Sequence, residues 1–166
     1  MVQALLQRAA TAAAVPLSLH YVSGTREGIR VAGIGQCAAC KHVGSLDEGA
    51  AACRASREEA LPLVLAQDKA TPFLCHMGFA CVSIRALAEE GYVLTFGPYC
   101  PSETPQTLEL DARRGLAELG EEYAADEGLP FGLDDVRLVP SDALPTLAEW
   151  TVEQLRGLAG QEEAPV

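Results

Sequence analysis

Six cysteines and three histidines, the residue types best suited to soft metals and thiol chemistry, all lie within residues 1–100 of this 166-residue chain. Cys37-Ala-Ala-Cys40 is a C-x-x-C pair, and its two intervening residues let both sulfurs turn towards one centre. Cys53 and Cys75 supply two further thiols. The sequence therefore predicts a metal site at Cys37, Cys40, Cys53 and Cys75, which would hold either zinc or an iron–sulfur cluster.

Two other interpretations of the cysteines stay open. They could pack as small apolar side chains, and this is the interpretation we prefer for Cys81, which alternates with its neighbours as a strand residue does. Cys37 and Cys40 could instead be a dithiol redox pair. A loop predicted for residues 37–45 argues against that pair as a thioredoxin-type enzyme, in which a strand precedes the motif and a helix follows it.

The remaining pattern indicates the elements that must position these residues. Strand patterns occupy residues 16–23, 29–35, 73–75, 79–86 and 92–96. A turn over 24–28 joins the first two, a polar turn over 88–91 joins the last two, and Pro98 is expected to stop strand pairing. Helical patterns occupy residues 1–14, 46–67, 108–123 and 145–159, with Pro62 expected to kink or restart the second. This order predicts an α+β fold with one antiparallel five-stranded sheet flanked by helices.

The charge distribution argues against a function in nucleic-acid binding. The net charge of −11 comes from residues 101–166, which hold 15 acidic and 4 basic residues, whereas residues 1–100 hold 8 of each. An acidic segment repels phosphate, so we expect no direct binding to nucleic acid. The N-terminal apolar run is too short for a bilayer and lacks the basic start of a secretion signal. We therefore expect a cytoplasmic protein without membrane contact.

One set of motifs resembles a known family. It comprises Cys40, then Cys53 in the run Cys-Arg-Ala-Ser-Arg-Glu-Glu-Ala, then Cys75-His76-Met77-Gly78-Phe79, and a final strand from Tyr92 to Gly97. This frame resembles the PocR-type sensory domain, a ligand-sensing module with a PAS/GAF-like fold. The resemblance extends over most of the chain and implies one domain over 1–166. Its sheet core and cysteine cluster would lie in 1–100, and its acidic helices in 101–166.

The resemblance also implies a function. Members sense small metabolites, including diols, and regulate AraC-type transcription regulators or histidine kinases. Cys40, Cys53 and Cys75 match the family frame, and either Cys37 or Cys100 would complete a four-sulfur metal site. We expect the ligand between the sheet and the long helix, with His76, Tyr92 and Thr95 as polar anchors.

The expected output is regulation of an attached or separate transcription or kinase module. A homodimer through residues 1–14 and 146–159, or a regulatory protein, is the expected partner. We expect no enzyme, since the sequence contains no phosphate-binding Gly-rich loop, G-x-S-x-G or H-E-x-x-H motif. Two alternatives are a redox or gas sensor that uses an iron–sulfur cluster and a C-x-x-C thiol oxidoreductase.

Overall fold

The central sheet contains five antiparallel strands in a computed structural model that describes residues 1–87, 91–104, 107–124 and 126–162. The strands are β1 (Leu17–Ser23), β2 (Arg26–Ile34), β3 (Thr71–Leu74), β4 (Ala80–Arg85) and β5 (Tyr92–Pro101). Their order is β2-β1-β5-β4-β3. A short β6 (Leu138–Val139) pairs in parallel with the end of β5. The predicted α+β fold with a PAS/GAF-like antiparallel sheet is confirmed, with this sixth strand as an addition.

The described residues form five helices around the sheet. They are α1 (Val2–Ala13), α2 (Ala38–Gly44), α3 (Asp47–Ala66), α4 (Leu108–Glu118) and α5 (Ala143–Glu162). The terminal helices α1 and α5 pack on each other and on the sheet, so the two predicted dimer surfaces each bury part of their area within the chain. No helix in the described ranges is long and apolar enough to cross a membrane.

The sheet has two unlike faces because successive strand residues point to opposite sides. One face is apolar and is covered by α1 and α5; it includes Leu17, Leu19, Val82, Ile84, Leu94 and Phe96. The opposite face lies beneath α2 and α3 and carries polar and sulfur-containing side chains at Ser18, Cys81 and Thr95. A buried polar face of this kind requires hydrogen-bond partners. It is therefore the side of the sheet where a ligand site is expected.

The C-x-x-C motif lies at the start of a helix, and the predicted loop over 37–45 is wrong. Cys37 is the N-cap of α2, and its Sγ accepts a hydrogen bond from the backbone N–H of Cys40 at 3.4 Å. The Oδ2 atom of Asp135 accepts a hydrogen bond from the N–H of Ala38 at 2.8 Å. A carboxylate at this end of a helix satisfies a free N–H group and interacts favourably with the helix dipole.

Strand β5 continues through Gly97 and Pro98, so the prediction that Pro98 ends the pairing is also wrong. Tyr99 pairs with Ala80 of β4, and Cys100 pairs with Leu138 of β6. A register shift between Ala80 and Val82 accommodates one extra residue on β5. A β-bulge next to a proline thus lets the sheet extend beyond its predicted end.

Several predicted boundaries shift by a few residues. The turn after β1 is tighter than predicted because β2 begins at Arg26, and α3 runs through Pro62 without ending. Helix α4 stops at Glu118, before the predicted end at residue 123, and α5 begins at Ala143. The predicted polar turn over 88–91 falls on residues 88–90, which lie outside the described ranges.

Candidate functional site

A cavity of about 100 Å³ lies between the polar face of the sheet and the helices α2 and α3. We call it the cysteine cavity because four thiols line it. Its chemically active lining comprises Ser18, Cys40, Cys53, Arg57, Cys75, His76, Cys81 and Thr95. Residues from β1, β4, β5, both helices and the turn after β3 therefore meet around one enclosed volume.

A thiol–imidazole contact forms part of the cavity wall. The Sγ atom of Cys53 lies 3.5 Å from Nε2 of His76. Burial lowers the pKa of His76 and, as the largest cause, raises the pKa of Cys53. Both directions favour the neutral forms, so this contact is a neutral hydrogen bond and not an ion pair. The Nδ1 atom of His76 is buried and has no hydrogen-bond partner among the described residues.

The pKa values of the two C-x-x-C thiols are shifted in opposite directions. A hydrogen bond from Cys40 is the main cause that lowers the pKa of Cys37, against an opposing effect of burial. The same hydrogen bond and burial raise the pKa of Cys40. Burial also raises the pKa of Cys75 and Cys81.

The four predicted metal ligands are brought near one another but do not converge. Cys40, Cys53 and Cys75 line the cysteine cavity, and Cys37 lies behind Cys40 outside its wall. Within the described ranges, no group of three or more His, Cys, Asp or Glu side chains is arranged to hold a metal ion. The four-cysteine metal site stays a prediction.

Two of the three predicted ligand anchors share the cavity. His76 and Thr95 both line it, and Thr95 Oγ1 lies 2.7 Å from the hydroxyl oxygen of Ser83. Tyr92 lies on the opposite face of the sheet, where it packs with the core beneath α5. The expectation that Tyr92 faces the long helix is therefore wrong, because residues 92 and 95 are an odd number apart on one strand.

Three residues that line the cysteine cavity were not predicted as site residues from the sequence. Ser18 carries no motif, Cys81 was assigned only to the core, and Arg57 lies in a helix with many charges. Cys81 is buried as predicted, and it also lines the cavity. Strand periodicity offered the signal for Ser18, since Leu17 and Leu19 are clear core residues and the residue between them must face the other side.

Arg57 connects the cavity wall to the hairpin of β1 and β2. Its Nε and Nη2 atoms lie 2.5 and 2.7 Å from the two carboxylate oxygens of Glu27. The Glu27 side chain is 7% exposed, so its carboxylate is largely withdrawn from water, whereas the Arg57 side chain is 31% exposed. A second cavity of about 200 Å³ adjoins here; it shares Ser18, Cys40 and Arg57 and adds His20 and Arg30.

The Cys75-His76-Met77-Gly78-Phe79 motif forms a tight turn between β3 and β4. The N–H of Cys75 donates to the carbonyl of Phe79 at 2.9 Å, and the N–H of Gly78 donates to the carbonyl of Cys75 at 2.8 Å. Ser56 of α3 accepts a hydrogen bond from the N–H of His76 at 2.9 Å. The turn is therefore fixed to α3 on one side, which sets the positions of the Cys75 and His76 side chains.

Comparison with known proteins found no matching protein-family model, curated relative or solved structure. The resemblance to PocR-type domains therefore depends on the cysteine frame and the Cys-His-Met-Gly-Phe turn.

Proposed function

We propose that this protein is a sensory domain that binds a small polar metabolite in the cysteine cavity and regulates an attached or partner protein. The observation that carries the proposal is a cavity on the polar sheet face that is lined by His76, whose buried Nδ1 atom has no hydrogen-bond partner among the described residues. A buried polar atom without a partner costs about 1–3 kcal/mol. A ligand hydroxyl or carboxylate that reached His76 would recover part of that cost.

The size and lining of the two adjoining cavities favour a short, oxygen-rich ligand. Their volumes are about 100 Å³ and about 200 Å³. Cavities of this size suit a molecule as large as a diol or a hydroxy acid, and they are too small for a nucleotide. Ser18 and Thr95 provide hydroxyl groups, and Arg30 and Arg57 provide positive charge near the shared wall. Diols are also the ligand class that the PocR resemblance implies.

Ligand binding would act on α2 and α3, since both helices line the cavity and neither belongs to the sheet. A ligand that contacts Cys40, Cys53 or Arg57 changes how these helices pack on the sheet. Such differential contact is what a sensory domain needs in order to shift between two states.

The ligand proposal predicts stabilisation by millimolar 1,2-propanediol, glycerol or lactate. At about 100 times its Kd, a ligand adds about 2.7 kcal/mol to the free energy of unfolding. For a domain of this size, that corresponds to a rise of about 5–10 °C in Tm. Thermal unfolding with each compound, followed by calorimetry for any that act, measures the effect.

Two variants locate the binding site. Ser18→Leu should abolish the ligand-dependent rise in Tm, because the larger side chain fills the shared wall of both cavities. Tyr92→Phe should keep the rise, since Tyr92 lies on the opposite face. If none of the three compounds raises Tm, or if Ser18→Leu responds like the wild type, the proposed ligand site is wrong.

A metal-dependent sensor is a second candidate, favoured by three predicted ligands on one cavity wall. It predicts that Cys75→Ser lowers metal content and stability together, because metal binding and folding are linked. Cys81→Ser, at a buried thiol of the same cavity outside the predicted ligand set, should leave metal content unchanged. Elemental analysis and visible absorption of anaerobically purified protein measure this. Equal metal loss in both variants would contradict the predicted ligand set.

A further inference from the structure

The C-x-x-C motif has a geometry that the sequence analysis did not anticipate. Strand β2 ends at Ile34, three residues before Cys37, and helix α2 begins at Ala38, directly after Cys37. This is the strand–motif–helix order whose predicted absence argued against thiol chemistry. The structure therefore places Cys37 and Cys40 in an arrangement that is compatible with dithiol chemistry.

The two thiols are positioned as partners of each other. The N–H of Cys40 donates a hydrogen bond to Cys37 Sγ at 3.4 Å, so the Cys37 sulfur lies directly against the Cys40 residue. Residues three apart in the first turn of a helix have side chains on the same face. A disulfide needs closely spaced Cβ atoms and an S–S bond of about 2.05 Å, which this placement allows with a small side-chain rotation.

Access to the pair is restricted to small reagents. Cys37 is 2% exposed and lines an open groove together with Thr11, Gln36 and Asp135. Cys40 borders the cysteine cavity. A peroxide molecule fits such a groove, whereas a folded protein partner would not reach the sulfur.

We propose that Cys37 and Cys40 form a reversible dithiol–disulfide couple that small hydroperoxides oxidise. Cys37 gives up its thiol proton, its sulfur attacks the distal peroxide oxygen, and the O–O bond breaks. The departing alkoxide, or hydroxide in the case of hydrogen peroxide, takes up that proton and leaves as an alcohol or as water. The resulting Cys37 sulfenic acid is attacked by the Cys40 sulfur, an S–S bond forms, and the sulfenic oxygen leaves as water with the Cys40 proton. Two thiols are oxidised and one peroxide is reduced.

Oxidation would also alter the wall of the cysteine cavity, because Cys40 is a member of the C-x-x-C pair and also lines the cavity. Formation of the S–S bond draws the Cys40 sulfur towards Cys37 and away from the cavity. The couple itself depends only on the geometry of these two residues and is independent of the proposed metabolite.

Peptide mapping tests the couple directly. Cleavage after Arg30 and Lys41 gives one peptide, 31–41, that contains both cysteines. After a few equivalents of hydrogen peroxide and alkylation of the remaining thiols, this peptide should be lighter by two hydrogen atoms and carry no alkyl group. A dithiol reductant should restore both alkylation sites.

Matched variants complete the test. Cys37→Ser should prevent the linkage while keeping the fold, because serine is a favourable N-cap residue. Cys53→Ser should leave the linkage in peptide 31–41 unchanged. The proposal is overturned if Cys40 links to Cys53 or Cys75, if peptide 31–41 gains only oxygen atoms, or if it stays fully reduced.

Discussion

Replacing Arg57 with methionine should lower the free energy of unfolding by about 3 kcal/mol. The change removes both hydrogen bonds to the Glu27 carboxylate and leaves that carboxylate without its cation in a site where it is only 7% exposed. Losing one member of a buried pair is costly because the remaining charge cannot recover its hydration. Methionine keeps most of the apolar stem, so lost packing contributes little.

Chemical denaturation of wild type and variant measures this effect, and Arg114→Met serves as the control. Arg114 lies 3.8 Å from Asp111 in an i,i+3 pair, and its side chain is 67% exposed. An exposed pair of this kind contributes little, so the control should stay within about 0.5 kcal/mol of the wild type. Equal losses in the two variants would show that the Glu27–Arg57 pair has no special role.

A double variant separates the charge from the packing. Glu27→Leu combined with Arg57→Met removes both charges of the pair, and it also removes the 3.7 Å contact between Glu27 and Nε2 of His20. Replacement of a buried ion pair by apolar side chains is often neutral, so the double variant should recover most of the loss. A double variant less stable than Arg57→Met would mean that the polar contacts of Glu27 to the rest of the hairpin, and not the unpaired charge, dominate.

The arrangement of strands could be read from the sequence because it depends on local alternation. Leu17 to Leu19 alternates as a strand does, and Ala80 to Arg85 is a short run that is buried almost throughout, as in a strand covered on both faces. The long α3 likewise showed helical spacing at Leu61 and Val64, both buried. Each of these elements carries its own signal within its own residues.

Helix α2 could not be read from the sequence because its stabilising partner is distant. It has only 7 residues, too few for a periodic pattern, and its N–H group at Ala38 is satisfied by Asp135, which is 97 residues away. Isolated helices of this length are unstable in water, so tertiary contacts decide whether they form. The loop prediction failed for this reason, and with it the argument against dithiol chemistry.

Part of the candidate site could be predicted from the sequence. His76 and Thr95 line one cavity, and their role as ligand anchors stays a prediction. The misplacement of Tyr92 was avoidable, since strand parity alone puts it opposite Thr95. The participation of Arg57 was not predictable, because its orientation is set by Glu27 on a different element.

The second large effect is expected at Gly78, where alanine should cost about 3 kcal/mol. Gly78 has φ +76°, and a non-glycine residue in that left-handed region costs about 1–2 kcal/mol. A Cβ atom there would also lie 2.6 Å from Cβ of Asp111 in α4. Relief of that overlap requires movement of the helix backbone, since Cβ cannot rotate away, and overpacking of this kind costs about 1–3 kcal/mol.

Gly120→Ala is the matched control for the backbone contribution. Gly120 has φ +81°, and a Cβ atom added there would have nothing within 4 Å. This variant should therefore lose only about 1–2 kcal/mol. The difference between the two variants, measured by chemical denaturation, isolates the contact between the turn and α4. Equal losses would show that α4 can move away from the turn at no cost.

The contact at Gly78 links the acidic part of the chain to the cysteine cavity. Helix α4 packs against the turn at Gly78 and also at Gly115, where an added Cβ atom would lie 2.5 Å from Met77 Sδ. If α4 fixes the turn that carries Cys75 and His76, then Asp111→Gly should partly rescue Gly78→Ala by removing the clashing atom. Rescue measured in a double-mutant cycle would establish direct coupling between α4 and the cavity wall, whereas additive losses would confine the effect of Gly78 to its own backbone.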